Sequence, residues 1–298
     1  MSPREGYIRA KGVKLHYLTW GEGAPLILVH GLADNPHLFA DLAPAFSDRF
    51  SVIAYARRGH GRSEDAPPYD TPTLTDDLCQ LMDRLGIAQA CIAGYSMGGN
   101  EVTGMATRYP HRVGRVVYLD AAYDYADPDF GKVLEQVPAV LREPPRAAWR
   151  SLSAYREFYR EEYFVGVQDL RRVEQYILET VNLESDGSVT PKMMKTVTAF
   201  EAAMRADARR SYSLVQCPVL AIYAQSAVNA QGVDDERRRE GLAWDSSYMQ
   251  PFKEKSIREL RRALPEARIV TVPGGHNDFL LTSRAAVVEA MREFLLDD

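Results

Sequence analysis

Cysteine, long apolar runs and an excess of positive charge are all scarce in this 298-residue sequence. Cys79, Cys91 and Cys217 lie far apart without a C-x-x-C pair, which disfavours a disulfide framework and a zinc site. Without a run of about 18 apolar residues, no membrane-spanning helix is predicted. The 36 basic residues are fewer than the 41 acidic ones, so neither nucleic acid nor an anionic membrane is an expected partner.

Two further absences concern targeting and metals. Residues 1–12 contain no apolar segment of the kind found in signal peptides, so we expect a cytoplasmic protein. The motifs H-E-x-x-H and H-x-H are also missing, and the histidines offer no obvious metal cluster. The expected partner is a small-molecule substrate, with no metal ion at the site.

Short apolar runs alternate with helical patterns along much of the chain. The runs are residues 25–29, 51–55, 90–93, 115–119, 218–223 and 267–272. Their continuous Val, Ile and Leu content indicates strands buried on both faces, and residues 7–10 and 13–20 indicate an edge hairpin. Leu74, Leu78 and Leu85 predict a helix with Thr73 as its N-cap. This alternation predicts an α/β fold with a mostly parallel sheet and helices on both faces.

The residues from Ala90 to Asn100 predict a strand, a sharp turn and the start of a helix. Within them, Gly94-Tyr95-Ser96-Met97-Gly98 has the form G-x-S-x-G, in which glycines give the room that a tight turn needs. Such a turn exposes a serine hydroxyl at the carboxyl end of a buried strand. We therefore predict that Ser96 is a catalytic nucleophile.

A serine nucleophile needs a base and groups that stabilise an oxyanion. His276 follows the last predicted parallel strand on a glycine-rich loop. His30 also follows a predicted strand, but it is interpreted as a structural residue of its turn. The remaining histidines do not follow a buried strand. Leu32, in the loop after residues 25–29, and Met97 are predicted to supply backbone amides to an oxyanion hole. His276 is the predicted base.

The alternation of strands and helices stops between about residues 124 and 216. Trp149, Tyr155 and Tyr159 fall at helical spacing there, and no strand-like run is recognised. We expect an all-helical insertion whose aromatic stripe either forms a core or lines a substrate pocket. These three aromatic residues are therefore candidate substrate-binding residues.

These motifs together resemble the α/β-hydrolase superfamily over residues 7–123 and 213–297. The resemblance rests on His30-Gly31, residues 58–63, residues 94–99 and Gly275-His276. It implies an eight-stranded sheet, a core domain formed by residues 1–123 and 213–298, and a helical cap domain formed by residues 124–212. It also implies hydrolysis through an acyl-enzyme, without a cofactor.

The third member of the catalytic triad departs from the usual pattern of this superfamily. Most members carry an acid after the strand at residues 218–223, where the aligned position here is Ala227. Some haloalkane dehalogenases and fungal mycotoxin lactonases carry the acid after the preceding strand instead, which corresponds to Asp120. We therefore predict Asp120 as the triad acid, with Asp124, Asp234 and Asp235 as rivals.

The combined expectation is a serine hydrolase of a small or medium, mainly apolar carboxylic ester or lactone. Dehalogenases and epoxide hydrolases of this superfamily use an aspartate nucleophile, which Ser96 disfavours. The alternatives are a C–C bond hydrolase, an aminopeptidase resembling proline iminopeptidases, in which Glu161 and Glu162 would bind an amino terminus, and a receptor-like ligand-binding module with little turnover. The sequence does not choose among substrates, because fold alone does not define them.

Overall fold

The computed structural model of the protein describes residues 2–142, 144–165, 167, 169–192, 194–229 and 236–297. Its strands are β1 Arg4–Ala10, β2 Val13–Trp20, β3 Ala24–Val29, β4 Phe50–Tyr55, β5 Ala90–Tyr95, β6 Val113–Leu119, β7 Val181–Leu183, β8 Val189–Pro191, β9 Val219–Ser226 and β10 Arg268–Gly275. Eight of them form one sheet in the order β1-β2-β4-β3-β5-β6-β9-β10. Neighbouring strands are parallel throughout the part of the sheet that runs β4-β3-β5-β6-β9-β10. The pairs β1–β2 and β2–β4 are antiparallel. The predicted mostly parallel, eight-stranded sheet is confirmed.

Helices connect the strands and cover both faces of the sheet. They are α1 Thr71–Arg84, α2 Gly98–Arg108, α3 Pro128–Glu135, α4 Ala139–Arg142, α5 Leu152–Phe158, α6 Glu174–Thr180, α7 Met194–Ala206, α8 Glu236–Trp244, α9 Gln250–Ala263, α10 Phe279–Thr282 and α11 Arg284–Leu296. Short 3-10 turns span Pro36–Phe39, Ala43–Ala45, Pro110–Arg112, Arg146–Arg150, Leu170–Arg172 and Tyr212–Leu214, and π-helical turns span Tyr159–Tyr163 and Asp245–Met249. Among the described helices, none combines the length and the apolar character that crossing a membrane requires.

Local sequence explains where the first helix and the first hairpin lie. The hairpin turns at Lys11 and Gly12, both with positive φ, as the sequence predicts. Helix α1 begins earlier than predicted, because the side chain of Asp70 accepts a hydrogen bond from the amide of Thr73 at 2.8 Å. Asp70, rather than Thr73, is therefore the N-cap.

The sheet separates two buried apolar clusters. Along β3, Ile27 and Val29 point into one cluster, and Leu26 and Leu28 point into the other. Helices α1, α2 and α9 contribute to the first cluster, whereas α11 contributes to the second. The alternation of side chains along a strand puts apolar residues on both faces, which explains the continuous apolar runs in the sequence.

The intervening segment, residues 124–212, connects β6 to the 3-10 turn before β9. It is mainly helical, as predicted, but it also contains the antiparallel pair β7 and β8. The prediction of an entirely helical segment is wrong at this hairpin. Three-residue strands around Asp186 and Gly187, which has φ 85°, are too short to give a period-two pattern in the sequence.

Candidate active site

Ser96 lies in a tight turn between β5 and α2. Its φ is 52°, in the left-handed region that costs a residue with a side chain about 1–2 kcal/mol. The glycines around it allow the turn, because a Cβ on Gly94 would come within 2.6 Å of the carbonyl oxygen of Gly98. A Cβ on Gly98 would come within 2.4 Å of the carbonyl oxygen of Val29 on β3. Close backbone packing therefore requires glycine on both sides of Ser96.

The side chains of Ser96, His276 and Asp120 form a continuous hydrogen-bonded row. Nε2 of His276 lies 3.0 Å from Oγ of Ser96, and Nδ1 of His276 lies 2.6 Å from Oδ2 of Asp120. The three residues follow β5, β10 and β6, so each stands at the carboxyl end of a parallel strand. The structure thus brings together the nucleophile, base and acid that the sequence predicts.

Asp120 is held by groups other than His276. It is buried, with a positive φ of 46°, and its Oδ1 accepts a hydrogen bond of 2.6 Å from the hydroxyl of Tyr123. The amide of Ala224 on β9 also donates to Oδ1, at 3.3 Å. Burial raises the pKa of Tyr123 well above its usual range, so its hydroxyl keeps the proton that it donates. These contacts leave Oδ2 for His276.

The rival acid Asp124 forms other contacts. Its Oδ2 accepts hydrogen bonds from the guanidinium of Arg209 and, at 3.2 Å, from the amide of Arg210. Its Oδ1 accepts a hydrogen bond from the amide of Ala126 at 3.2 Å. Asp124 therefore links the chain after β6 to the end of the intervening segment and does not bind His276. Asp234 and Asp235, the other rivals, lie outside the described residues.

The loop that carries His276 is fixed on several sides. Oδ1 of Asp278 accepts a hydrogen bond of 2.7 Å from the amide of Gly275, and burial raises the pKa of this carboxyl to about 6. The ring of Tyr95 stacks on the imidazole of His276 with centroids 5.0 Å apart, and its hydroxyl donates to the carbonyl oxygen of His276 at 2.9 Å. These contacts restrict the imidazole to the orientation that reaches Ser96.

The loop after β3 contains the predicted oxyanion residue Leu32. Arg57 donates from Nη1 to the carbonyl oxygen of Gly31 at 2.9 Å and lies 2.7 Å from a carboxylate oxygen of Glu101. Burial lowers the pKa of His30 well below its usual range, which keeps the imidazole neutral and fits its structural interpretation. Leu32 lines the same cavity as Ser96, and Met97 follows Ser96 directly at the start of α2.

A cavity of about 200 Å³ lies in front of Ser96 and His276. Its described lining consists of Leu32, Ala33, Asp34, Leu38, Tyr95, Ser96, Tyr159, Tyr163, Phe164, Tyr176, His276 and Asn277. Tyr159 is the one predicted substrate-binding residue in that lining. Tyr155 packs behind Tyr159 with ring centroids 4.9 Å apart, and Trp149 packs on Tyr155 at 5.1 Å. Trp149 and Tyr155 are thus absent from the described lining of this cavity, and their predicted role in substrate binding stays a prediction.

Two cavity residues, Asp34 and Tyr176, and one residue behind the triad, Tyr123, were not predicted from the sequence. Asp34 follows Leu32 by two positions, and Tyr176 of α6 donates a hydrogen bond of 2.6 Å to its Oδ1. Tyr123 follows Asp120 by three positions, which places it within reach of the same carboxylate. An acidic residue in the loop after a buried strand was a usable signal for Asp34. Tyr176 had no comparable signal, because its position depends on how α6 packs.

The described residues contain no group of three or more His, Cys, Asp or Glu side chains arranged to hold a metal ion. The histidines at 30 and 60 are instead neighbours in the core, with ring centroids 4.9 Å apart. Burial lowers the pKa of both well below its usual range. They belong to the packing behind the oxyanion loop.

Comparison with known proteins gives the family. Residues 24–282 match the family model described as the alpha/beta hydrolase fold. The pimeloyl-[acyl-carrier protein] methyl ester esterase of Neisseria meningitidis serogroup B is 29% identical over 66% of this chain and 72% of its own. The 3-oxoadipate enol-lactonase 2 of Acinetobacter baylyi is 34% identical over 39% of this chain, and the matched region covers only 44% of that enzyme.

Solved structures agree with the family match. The crystal structure of E-2-(acetamidomethylene)succinate hydrolase aligns with 99% of this chain and 100% of its own, with a TM-score of 0.75 and 20% identity. At this identity the likeness shows the fold alone. This chain spans less than half the length of several other curated relatives that it matches. The family model, which matches most of the chain, shows that the chain belongs to the α/β-hydrolase fold family.

Proposed function

We propose that the protein is a serine hydrolase that cleaves a small or medium, mainly apolar carboxylic ester or lactone through an acyl-enzyme intermediate. The observation that carries this proposal is the row formed by Ser96, His276 and Asp120, with separations of 3.0 Å and 2.6 Å. A serine hydroxyl becomes a useful nucleophile when a positioned base accepts its proton. The names of an esterase and an enol-lactonase among the relatives support this substrate class.

In the proposed mechanism, Oγ of Ser96 attacks the substrate carbonyl carbon while Nε2 of His276 accepts the hydroxyl proton. Asp120 holds the imidazole through Nδ1 and stabilises the imidazolium. The amides of Leu32 and Met97 donate to the developing oxyanion. His276 then gives its proton to the leaving oxygen, and a water molecule activated by His276 hydrolyses the acyl-enzyme to the carboxylic acid.

The intervening segment has the role of a cap domain in this proposal. Tyr159, Phe164 and Tyr176 come from residues 124–212 and line the cavity together with Ser96 and His276. Helix α6 is joined to the core because the side chain of Asn35 donates to the carbonyl oxygen of Tyr176 at 3.0 Å. A roof of this kind limits the size of the acyl or alcohol group and excludes water from the reacting carbonyl. Residues 1–123 and 213–298 form the core domain beneath it.

We further propose a cytoplasmic location and a small-molecule substrate as the principal partner. The three cysteines are free thiols, and burial raises the pKa of Cys79, Cys91 and Cys217, which keeps them protonated and unreactive. Free, protected thiols suit a reducing compartment. The net charge of −5 disfavours association with nucleic acid or anionic lipid.

Ser96→Ala tests the proposal directly. The variant should fold like the parent protein, lose labelling by a fluorophosphonate probe and show kcat lower by about 10⁴- to 10⁶-fold on a p-nitrophenyl ester. Labelling also separates an enzyme from a receptor-like module, because only an activated serine reacts quickly. A panel of p-nitrophenyl esters, lactones and one aminoacyl amide then separates ester or lactone hydrolysis from an aminopeptidase.

Ser153→Ala is a matched control, because Ser153 is an exposed serine of α5 that does not line the cavity. It should keep both probe labelling and esterase activity. The proposal fails if Ser96→Ala retains a tenth of the parent activity, or if the parent protein neither reacts with the probe nor hydrolyses any ester or lactone of the panel.

A further inference from the structure

The cavity in front of Ser96 has an acidic and aromatic wall. Among the described residues that line it, the ionisable acid and base are Asp34 and His276, and there is no lysine or arginine. The lining also includes five aromatic residues, which are Tyr95, Tyr159, Tyr163, Phe164 and Tyr176. Aromatic faces and a carboxylate both attract cations, and neither attracts an anion.

Asp34 lies very close to the reacting serine. A Cβ on Gly31 would come within 2.4 Å of Oδ2 of Asp34 and within 3.0 Å of Cβ of Ser96. The carboxylate and the serine therefore contact the same glycine of the oxyanion loop. Asp34 is half-buried rather than sealed in the core, so a bound molecule in the cavity can reach it.

Asp34 differs from most other acidic groups inside the protein. Several buried carboxylates form an ion pair with an arginine, lysine or histidine, namely Asp77, Glu101, Asp120, Asp124, Asp127 and Glu179. In the described part of the chain, Asp34 forms no ion pair and instead accepts a hydrogen bond from the neutral hydroxyl of Tyr176. A carboxylate removed from water is stabilised when a cation pairs with it.

The electrostatics of Asp34 agree with this geometry. Burial raises its pKa to about 6, against the opposing effects of the Tyr176 hydrogen bond and the charges of His276 and Arg57. Arg57 is already bound to Glu101 and to the carbonyl oxygen of Gly31. Arg57 therefore forms no ion pair with Asp34, and at neutral pH most of the Asp34 carboxyl remains ionised.

Two of the tyrosines that line the cavity have hydroxyl groups bound to other parts of the protein. The hydroxyl of Tyr159 receives a hydrogen bond from Tyr155 at 3.3 Å, and the hydroxyl of Tyr95 donates to the backbone of His276. Burial raises the pKa of Tyr159 and Tyr176 well above its usual range, so neither ring carries a negative charge. Neutral rings around one carboxylate form a suitable environment for an ammonium group.

We propose that Asp34 is a specificity-determining residue and that the substrate is an ester or lactone bearing a protonated or quaternary amine, which Asp34 and the surrounding rings bind. This inference rests on the proposed hydrolase function and deepens it by naming the substrate class. It also disfavours a dicarboxylate substrate like the succinate in the name of the similar hydrolase structure. Such a substrate would place a negative charge beside Asp34 without a lysine or arginine in the described lining.

The adjoining cavity does not supply a simple alternative. It has a volume of about 460 Å³, shares Tyr163 and Asn277 with the cavity of Ser96, and provides space for a longer substrate. Its lining includes Arg237 and Arg238 together with Glu161 and Glu162. Charges of both signs meet there, and Nε of Arg237 lies 2.9 Å from Oε2 of Glu162. The unbalanced charge next to the reacting serine is that of Asp34.

The test compares substrates that differ in charge but not in shape. On the acyl side, p-nitrophenyl 4-(trimethylammonio)butanoate is compared with p-nitrophenyl 5,5-dimethylhexanoate, in which carbon replaces nitrogen. On the alcohol side, butyrylcholine is compared with 3,3-dimethylbutyl butyrate. We expect kcat/KM to favour the cationic member of at least one pair by about tenfold or more. Asp34→Asn, which keeps an oxygen for the Tyr176 hydroxyl, should reduce that preference to less than about twofold.

Glu161→Gln is the matched control, because it removes one negative charge from the adjoining cavity. It should preserve the preference for the cation. In the parent protein, the preference should also fall as pH decreases through about 6, because protonation of Asp34 removes its charge. The charged groups that face Asp34 are His276 and Arg57, and any effect of pH on the chemical step shared by both members of a pair cancels in their ratio. Burial raises the pKa of Tyr176 well above its usual range, so its hydroxyl keeps its proton.

A readout without turnover uses Ser96→Ala. Calorimetry should show that p-nitrophenyl 4-(trimethylammonio)butanoate binds this variant more tightly than the neutral ester, and that adding Asp34→Asn removes the difference. The inference is overturned if neither pair shows a preference in the parent protein, or if Glu161→Gln rather than Asp34→Asn abolishes it. Ser96-dependent hydrolysis without a cation preference would refute this inference alone, whereas loss of all Ser96-dependent reactivity would refute the proposed function.

Discussion

The sheet edge and the intervening segment contribute to the candidate site in different ways. Ser96, Asp120 and His276 follow strands whose relative positions are fixed by continuous ladders of backbone hydrogen bonds. The intervening segment consists of short helices, a π-helical turn and a small hairpin, and it contributes rings to the cavity. From this difference we expect the reaction geometry to depend on the sheet and substrate choice to depend on the intervening segment.

The two regions meet through polar contacts along one loop. Asp34 and Asn35 both bind Tyr176, and two residues further on, Nε2 of His37 lies 3.2 Å from Oε1 of Glu179. Helix α6 of the intervening segment therefore packs directly on the loop that carries Leu32. Changes in this segment should affect substrate choice more than the chemical step, and the following predictions test that division.

The largest effect is expected at the sheet edge, from Asp120→Asn. An amide in place of the carboxylate would leave His276 in the wrong tautomer or orientation, so kcat should fall by about 10³- to 10⁴-fold with little change in KM. Steady-state kinetics on one p-nitrophenyl ester measures this. The control is Asp124→Asn, which should cost less than about tenfold in kcat because Asp124 binds Arg209 and not His276. The assignment is wrong if the second variant loses activity and the first does not.

A smaller effect is expected in the intervening segment, where Tyr159 and Trp149 are compared. Tyr159→Leu removes part of the cavity wall. It should change the preference between short and long acyl esters, measured as the ratio of their kcat/KM values, by a factor equivalent to about 1–3 kcal/mol. Trp149→Leu alters the packing behind that wall, so it should lower Tm and leave the ratio unchanged. An equal change of the ratio in both variants would show that the segment acts as one unit rather than through its cavity lining.

The smallest effect is expected from Tyr123→Phe. This change deletes the hydroxyl that donates to Oδ1 of Asp120 and keeps the ring in its packing position. Loss of one such hydrogen bond is worth about 1 kcal/mol, so kcat should fall by several-fold while KM stays constant. Steady-state kinetics on one p-nitrophenyl ester measures this, and an unchanged kcat would mean that the Ala224 amide alone positions Asp120.

Much of the site was predictable because its signals are local. The turn at Ser96 requires glycine on both sides, and each predicted triad residue directly follows an apolar strand. Local patterns failed where packing decides the outcome. Trp149, Tyr155 and Tyr159 share a helical spacing, yet the structure turns only Tyr159 toward the cavity. The catalytic roles of Ser96, Asp120, His276, Leu32 and Met97 stay predictions until the variants are measured.

The sequence by itself determined the order of the strands in the main sheet and of the helices between them, the tight turn at Ser96 and the placement of three candidate catalytic residues at strand ends. These features follow from apolar periodicity and from the backbone conformations that glycine permits. Only the tertiary structure showed that Asp120 contacts His276 whereas Asp124 contacts Arg209, since both acids follow β6 and their partners come from distant parts of the chain. It alone also placed Asp34 beside Tyr176, because a contact across 142 positions depends on the packing of α6 and leaves no periodic trace in the sequence.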